Sequence, residues 1–201
     1  MTLEQFKQVW AKAAAKTAAR EKDYSALDAA AGGDGDHGEA IVAAMKALAV
    51  AEGADFKSML GDMVSHLESD VSGSTSSLYG TLFEGMADAV EAGKTELDAA
   101  EIAAVFAAGL EELGFATKAK VGDKTFMDAL IPAVEALQAH AAEGEAAMFA
   151  AAAAAAKAGS EATAQMQARF GRAKNLGARS IGPVDAGSAS NADIWACFAE
   201  G

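Results

Sequence analysis

Residues 2–17, TLEQFKQVWAKAAAKT, set the pattern on which the rest of the chain is read. Thr2 followed by Gln5 is a capping box, in which each side chain reaches the other's backbone N–H at the start of a helix. Phe6, Val9, Trp10, Ala13 and Thr17 then recur at helical spacing along one face. This predicts a first helix that ends near Lys22, with Asp28 at its exit.

Working outward, the same period returns seven more times. A second helix carries Ile41, Met45 and Leu48 and stops near Gly53, and a third follows Asp55 with Phe56, Leu60, Met63 and Leu67. A fourth places Leu78, Leu82, Phe83, Met86 and Val90 on one face before Gly93, and a fifth opens at Asp98 with Ile102, Val105, Phe106, Leu110 and Leu113. Gly122 and Asp123 start a sixth, containing Pro132, and an alanine-rich seventh runs from about Glu145 to Phe170. The eighth follows Gly187 and buries Ile194, Trp195 and Phe198. With only 2 prolines and no alternating β-branched runs, the chain reads as all-α, one domain over residues 1–201. Eight helices on short loops suggest an antiparallel up-and-down bundle or closed helical barrel.

Composition narrows the function classes. A net charge of −13 argues against nonspecific binding to nucleic acid or anionic lipid, both of which need clustered Lys and Arg. The single cysteine, Cys197, excludes an internal disulfide framework and reads as a small buried hydrophobe. The N-terminal segment does not read as a signal peptide, and no window approaches the length of a strongly apolar membrane span. A cytoplasmic protein is the expectation. Should the ligand be a polyphosphate, so acidic a chain needs divalent cations between itself and the ligand.

Three connections are unlike ordinary helix links: Asp28 to Gly38, Ser69 to Ser77, and Gly171 to Gly187. They follow the first, third and seventh helices, so an up-and-down bundle brings them to the same end. In GDGDHG, residues 33–38, Asp34 and Asp36 flank Gly35, so a turn can aim both carboxylates at one hard cation such as magnesium or calcium. Asp28 is a third carboxylate that could face the same ion. Taken alone, this loop serves as well as a solvated turn with an N-cap, and His37 as well as a capping or core histidine. SDVSGSTSS, residues 69–77, has the small hydroxyls and glycine that cradle phosphate, or that simply cap a helix; no Walker lysine follows. The third connection offers Arg172 and Arg179 for phosphate or base stacking, and Asp185 as an acceptor for adenine or ribose.

GDGDHG, SGSTSSLYG, KVGDKTFMDAL and GRAKNLGARSIGPVDAG, taken in this order, resemble the signature segments of the nucleotide-binding L subunit of dihydroxyacetone kinases. The resemblance spans nearly the whole chain. It implies an eight-helix antiparallel barrel with the nucleotide at one end, ADP or ATP held through two Mg2+ ions on three aspartates, here Asp28, Asp34 and Asp36. It also implies nucleotide contacts at His37, Gly38, Ser74, Thr75, Gly122, Arg172, Asp185 and Gly187, with Arg172 steadying the transferring phosphoryl group. The sequence departs from the family pattern in one additional residue between Asp28 and Asp34, in Ser72, Ser76 and Ser77 of the phosphate loop, in Ala40 where asparagine is common, and in Asn175 where tyrosine is common.

The implied partner is a separate sugar-binding K subunit that carries the ketose, so the isolated chain should bind nucleotide and phosphorylate nothing. The donor is either exchangeable ATP, toward which the loop departures lean, or a permanently held ADP recharged by a phosphocarrier M subunit of the sugar phosphotransferase system. A homodimer stays open. The rival from another class is a nucleotide-loaded adaptor that docks on a transcription factor without catalysis.

Overall fold

The computed structural model describes residues 1–201 and contains nine α-helices: α1 (Leu3–Ala19), α2 (Glu21–Ala30), α3 (His37–Ala49), α4 (Phe56–Asp70), α5 (Ser74–Asp88), α6 (Ala99–Ala116), α7 (Met127–His140), α8 (Glu145–Ala162) and α9 (Ala186–Ala199). There is no sheet, only an isolated bridge between Thr2 and Glu96. Capping boxes start α1 at Thr2–Gln5, α4 at Asp55–Ser58 and α6 at Asp98–Glu101. No helix is long and apolar enough to cross a membrane.

From α3 onward each helix packs on the next, and α9 returns to α1 and closes the ring. One continuous core of 44 buried residues fills it. Its aromatic centre is Phe198, whose ring lies 5.2 Å from Phe149, 5.4 Å from Trp10 and 5.5 Å from Phe106, between centroids. Burial of this much aromatic surface, at about 25 cal/mol per Å² of apolar area, is what opposes the entropy of ordering the chain. Cys197 is buried beside it.

Three boundaries away from the serine-rich connection differ most from the sequence expectation. The first helix does not continue to Lys22: it stops at Ala19, and Arg20 leaves helical geometry with φ −113 and ψ 11. The guanidinium of Arg20 turns away to pair with Asp193 and Asp23, 3.3 Å from the latter, and sits 5.2 Å over the Tyr24 ring. The chain re-enters a helix as α2, so Asp28 lies within α2 rather than at the exit of α1.

The sixth helix begins at Met127, not at Gly122 or Asp123. Lys124 adopts φ 60, alone among the non-glycine residues in having a positive φ, and a left-handed residue cannot continue a right-handed helix. Asp128 organises the turn instead, its carboxylate accepting the N–H groups of Gly122 at 2.6 Å and Thr125 at 2.7 Å. Further along α7, Pro132 has no N–H for the Asp128 carbonyl four residues earlier. Gly159 of α8 packs its backbone against that carbonyl, so closely that a β-carbon would overlap it.

The alanine-rich helix ends at Ala162, eight residues short of Phe170. The cause is Thr163. Its carbonyl is taken by the Lys124 ammonium at 2.6 Å, and its hydroxyl donates to Ser160 O at 2.6 Å while accepting the Asp185 N–H at 2.9 Å. The backbone then turns through a short 3-10 segment, Thr163–Gln165, and leaves helical geometry.

Candidate functional site

The connections that follow the first, third and seventh predicted helices meet at one end of the bundle, around a cavity of about 670 Å³. A fourth segment, Lys124 to Phe126, joins them in its wall. Each wall has a local origin.

The acidic wall is the α2–α3 connection. Gly32 takes φ 86 and Gly35 φ 79, and these two left-handed turns fold the loop back on α2. The Asp28 carboxylate thereby accepts the Gly35 N–H at 2.8 Å. One carboxylate oxygen each of Asp28, Asp34 and Asp36 comes within 4.8 Å of the others. The extra residue between Asp28 and Asp34 is absorbed by the Gly32–Gly33 turn and does not separate the three. Asp28 is half-buried while Asp34 and Asp36 are exposed, and Arg172 lays its guanidinium across the latter two, 3.1 Å from Asp36. An all-oxygen, all-carboxylate donor set suits a hard divalent cation, so these residues fit magnesium.

The second wall is narrower than the serine-rich stretch suggested, because α4 continues to Asp70 and α5 already starts at Ser74. Only residues 71–73 are loop. Gly73 turns the chain with φ 83, and no side chain caps α5. Ser74 and Thr75 therefore sit in the first turn of a helix whose free N–H groups and positive dipole end favour an anion. Both line the cavity, with Leu78 and Tyr79 one turn on.

The floor is the start of α9. Asp185 caps it through Ser188 N–H at 2.7 Å. Burial pushes the Asp185 carboxyl up to about 7; the Ser188 N–H and the Lys124 ammonium pull down, while Asp128 and Asp28 push further up. Gly187 lines the cavity where a β-carbon would come 3.1 Å from Phe126 Cβ and 3.2 Å from Asp185 Oδ2. His37, at the start of α3, meets Ser190 Oγ at 2.9 Å through Nε2. Since Ser190 Oγ donates to Gly187 O at 3.0 Å, the His37 ring is the donor of that pair. Burial holds His37 below the ordinary histidine range, against the pull of Asp28 and Asp36.

Of the residues singled out in the sequence, Asp28, Asp36, His37, Ser74, Thr75, Arg172, Asp185 and Gly187 line the cavity, and Asp34 joins its carboxylate cluster. Gly38 does not line it. It packs under α2, where a β-carbon would overlap the Glu21 carbonyl. Gly122 does not line it either; it turns the chain with φ 98 and gives its N–H to Asp128. Arg179 is exposed and away from the cavity. Ala40 does face it.

Sequence reasoning passed over Lys124, Phe126, Tyr79 and Phe170, all cavity-lining. Phe126 and Tyr79 pack ring to ring at 6.1 Å as an apolar wall. Lys124 and Phe126 lie inside the KVGDKTFMDAL segment, which was the available signal.

A family model described as the DAK2 domain matches residues 31–200. The chain is 33% identical over 180 residues to the ADP-binding subunit DhaL of PEP-dependent dihydroxyacetone kinase 2 of Listeria innocua, covering 86% of this chain and 82% of that one. It is 34% identical over 167 residues to the corresponding DhaL subunit of Escherichia coli, covering 79% of this chain and 78% of that one. Among solved structures it resembles the dihydroxyacetone kinase from C. freundii in complex with AMP-PNP and Mg2+, with TM-score 0.77 and 24% identity, over 96% of this chain and 33% of that longer one. That likeness concerns the fold, while the match over most of the sequence concerns descent. The chain belongs to the DAK2 domain family.

Proposed function

We propose that the chain is the nucleotide-binding subunit of a dihydroxyacetone-type kinase, holding ADP or ATP with two magnesium ions and serving phosphoryl transfer to a short-chain ketose on a separate K subunit. The observation that carries this reading is the convergence of three carboxylates and a helix N-terminus on one cavity. The names of the relatives, ADP-binding subunits of PEP-dependent kinases, favour a held ADP recharged by a phosphocarrier M subunit over freely exchanging ATP.

In this reading Asp28, Asp34 and Asp36 hold the magnesium ions, with Asp28 oriented by the Gly35 N–H. Bound there, the ions would supply positive charge against the phosphate oxygens. The N–H groups of the first turn of α5, with the Ser74 and Thr75 hydroxyls, receive phosphate oxygens. Arg172 exchanges its carboxylates for the transferring phosphoryl group, where its planar fork stabilises developing charge. His37, a neutral ring whose single N–H goes to Ser190, braces the first turn of α9 beside the phosphate end. Tyr79, Leu78 and Phe126 offer apolar surface to the base, and Asp185 a polar partner to base or ribose. Gly38 and Gly122 act through backbone packing and turn geometry.

The test is calorimetric titration of the purified chain with ADP and Mg2+, followed by assay with a K subunit, a phosphoryl donor and a panel of ketoses. Nucleotide binding that Asp34→Ala abolishes, and product only when both subunits are present, are the expected results. ADP affinity unchanged in Asp34→Ala would remove the metal-held nucleotide.

A further inference from the structure

We infer that Lys124 is a positioning residue of the nucleotide pocket, its ammonium clamped between two carbonyls so that the first turn of α9 is held in the cavity floor. The inference rests on the nucleotide-binding reading above and adds to it a residue outside every predicted contact.

Three observations converge on it. First, Lys124 is 2% exposed and adopts φ 60, where every other positive-φ position in the chain is glycine. Glycine would occupy that backbone without strain, so the strain of a lysine there is offset by what its side chain does. Second, the ammonium spends two of its three donors on carbonyls from separate segments, Thr163 O at 2.6 Å and Pro183 O at 2.5 Å. Thr163 ends α8 and Pro183 lies just before α9. The same Thr163 accepts the Asp185 N–H through its hydroxyl at 2.9 Å. The end of α8, the 183–185 strap and the cap of α9 are therefore tied together by one cation. Third, Lys124 lines the cavity and is the buried cation there, whereas Arg172 and Lys174 are exposed.

The chemical consequence is specific. Without the clamp the 183–185 strap that leads into Gly187 loses its anchor, and the half-buried Asp185 carboxyl loses its neighbouring cation. No hydrogen bond joins the carboxylate cluster of the α2–α3 loop to the clamp, and their one link is the charge that Asp28 and Lys124 each present to Asp185, so divalent metal binding should depend on the clamp far less than ADP binding does.

The experiment compares wild type with Lys124→Gly, which relieves the backbone, Lys124→Met, which keeps the bulk, and Lys124→Arg, which keeps the charge and the donors. ADP affinity with Mg2+ is measured by calorimetry, Mn2+ binding without nucleotide by electron paramagnetic resonance, and folding by thermal melting. Expected is a loss of ADP affinity of about tenfold or more in the Gly and Met variants, recovery of most of it in Arg, and nearly unchanged Mn2+ binding in all. ADP affinity unchanged in Lys124→Gly despite a lowered melting temperature would reduce Lys124 to a structural clip and overturn the inference. So would parallel losses of ADP and Mn2+. Wild-type protein that takes up no ADP would sink the functional reading itself, whereas wild-type uptake with affinity unchanged in Lys124→Gly would sink this inference alone.

Discussion

Gly33 lies so close under Asp28 that a β-carbon there would overlap both carboxylate oxygens. The obstruction is the end of a short flexible side chain, not backbone, and the fold can yield by letting Asp28 swing away. Gly33→Ala should therefore leave the melting temperature nearly unchanged while weakening Mn2+ binding by about tenfold, the scale of one charged ligand interaction. Unaltered Mn2+ affinity would mean that Asp28 does not belong to the metal set.

Arg172 covers two of the three carboxylates, so in the nucleotide-free chain it competes with a divalent ion for Asp34 and Asp36. All three side chains are more than half exposed, and the competition is correspondingly weak. Arg172→Gln should tighten Mn2+ binding without nucleotide by about two- to fivefold and weaken ADP by about tenfold or more. Opposite signs in the two titrations are the diagnostic. Arg172→Lys keeps the charge but loses the fork; if bridging is the competitor, it tightens Mn2+ nearly as much as Gln does.

At the far end of the bundle, Asp55 caps α4 and also accepts the Gly93 N–H at 2.6 Å. The Ser58 hydroxyl, then the Ser58 and Gly93 N–H groups, hold its carboxyl down at about 2. Its folded value lies below the unfolded value of about 3.9, so the stabilisation from its charge is present above that value and lost as pH falls through about 2. In urea denaturation Asp55→Asn should be less stable than wild type at pH near 6, with the gap closing toward pH 2. A gap independent of pH would mean the charge contributes nothing.

Gly159 is required by the Asp128 carbonyl that Pro132 leaves exposed. Backbone cannot step aside as a side chain can, so Gly159→Ala should destabilise the protein by about 1–3 kcal/mol, as overpacking does. Pushing α8 off α7 also disturbs Thr163, four residues later in the chain. Chemical denaturation measures the first effect and ADP titration the second.

What the sequence revealed follows the range of the interactions involved. The three capping boxes join residues three apart, so Thr2–Gln5, Asp55–Ser58 and Asp98–Glu101 act locally; the helix starts at Asp55 and Asp98 were accordingly visible along with the first. Parity of the helices was enough to bring GDGDHG, the serine-rich turn and the arginine loop to one end. The break at Arg20 was not visible, because no glycine or proline marks it and its cause, Asp193, lies 173 residues away. The stop of α8 at Ala162 was hidden for the same reason, since Lys124 and Asp185 impose it from 39 and 22 residues away. Lys124 escaped notice within a segment already singled out, as nothing in a lysine's identity announces a left-handed backbone.

The first turn of α9 is the cavity floor, while its last two turns carry Trp195 and Phe198 into the aromatic centre. One helix therefore completes both the core and the site. The order of folding follows: the cavity cannot be assembled before α9 has docked on α1 and α8, and an intermediate lacking that docking would have an open ring and no floor. Ligand uptake during refolding should then lag the formation of helix and coincide with closure of the ring, which makes occupancy of this cavity a reporter of complete folding.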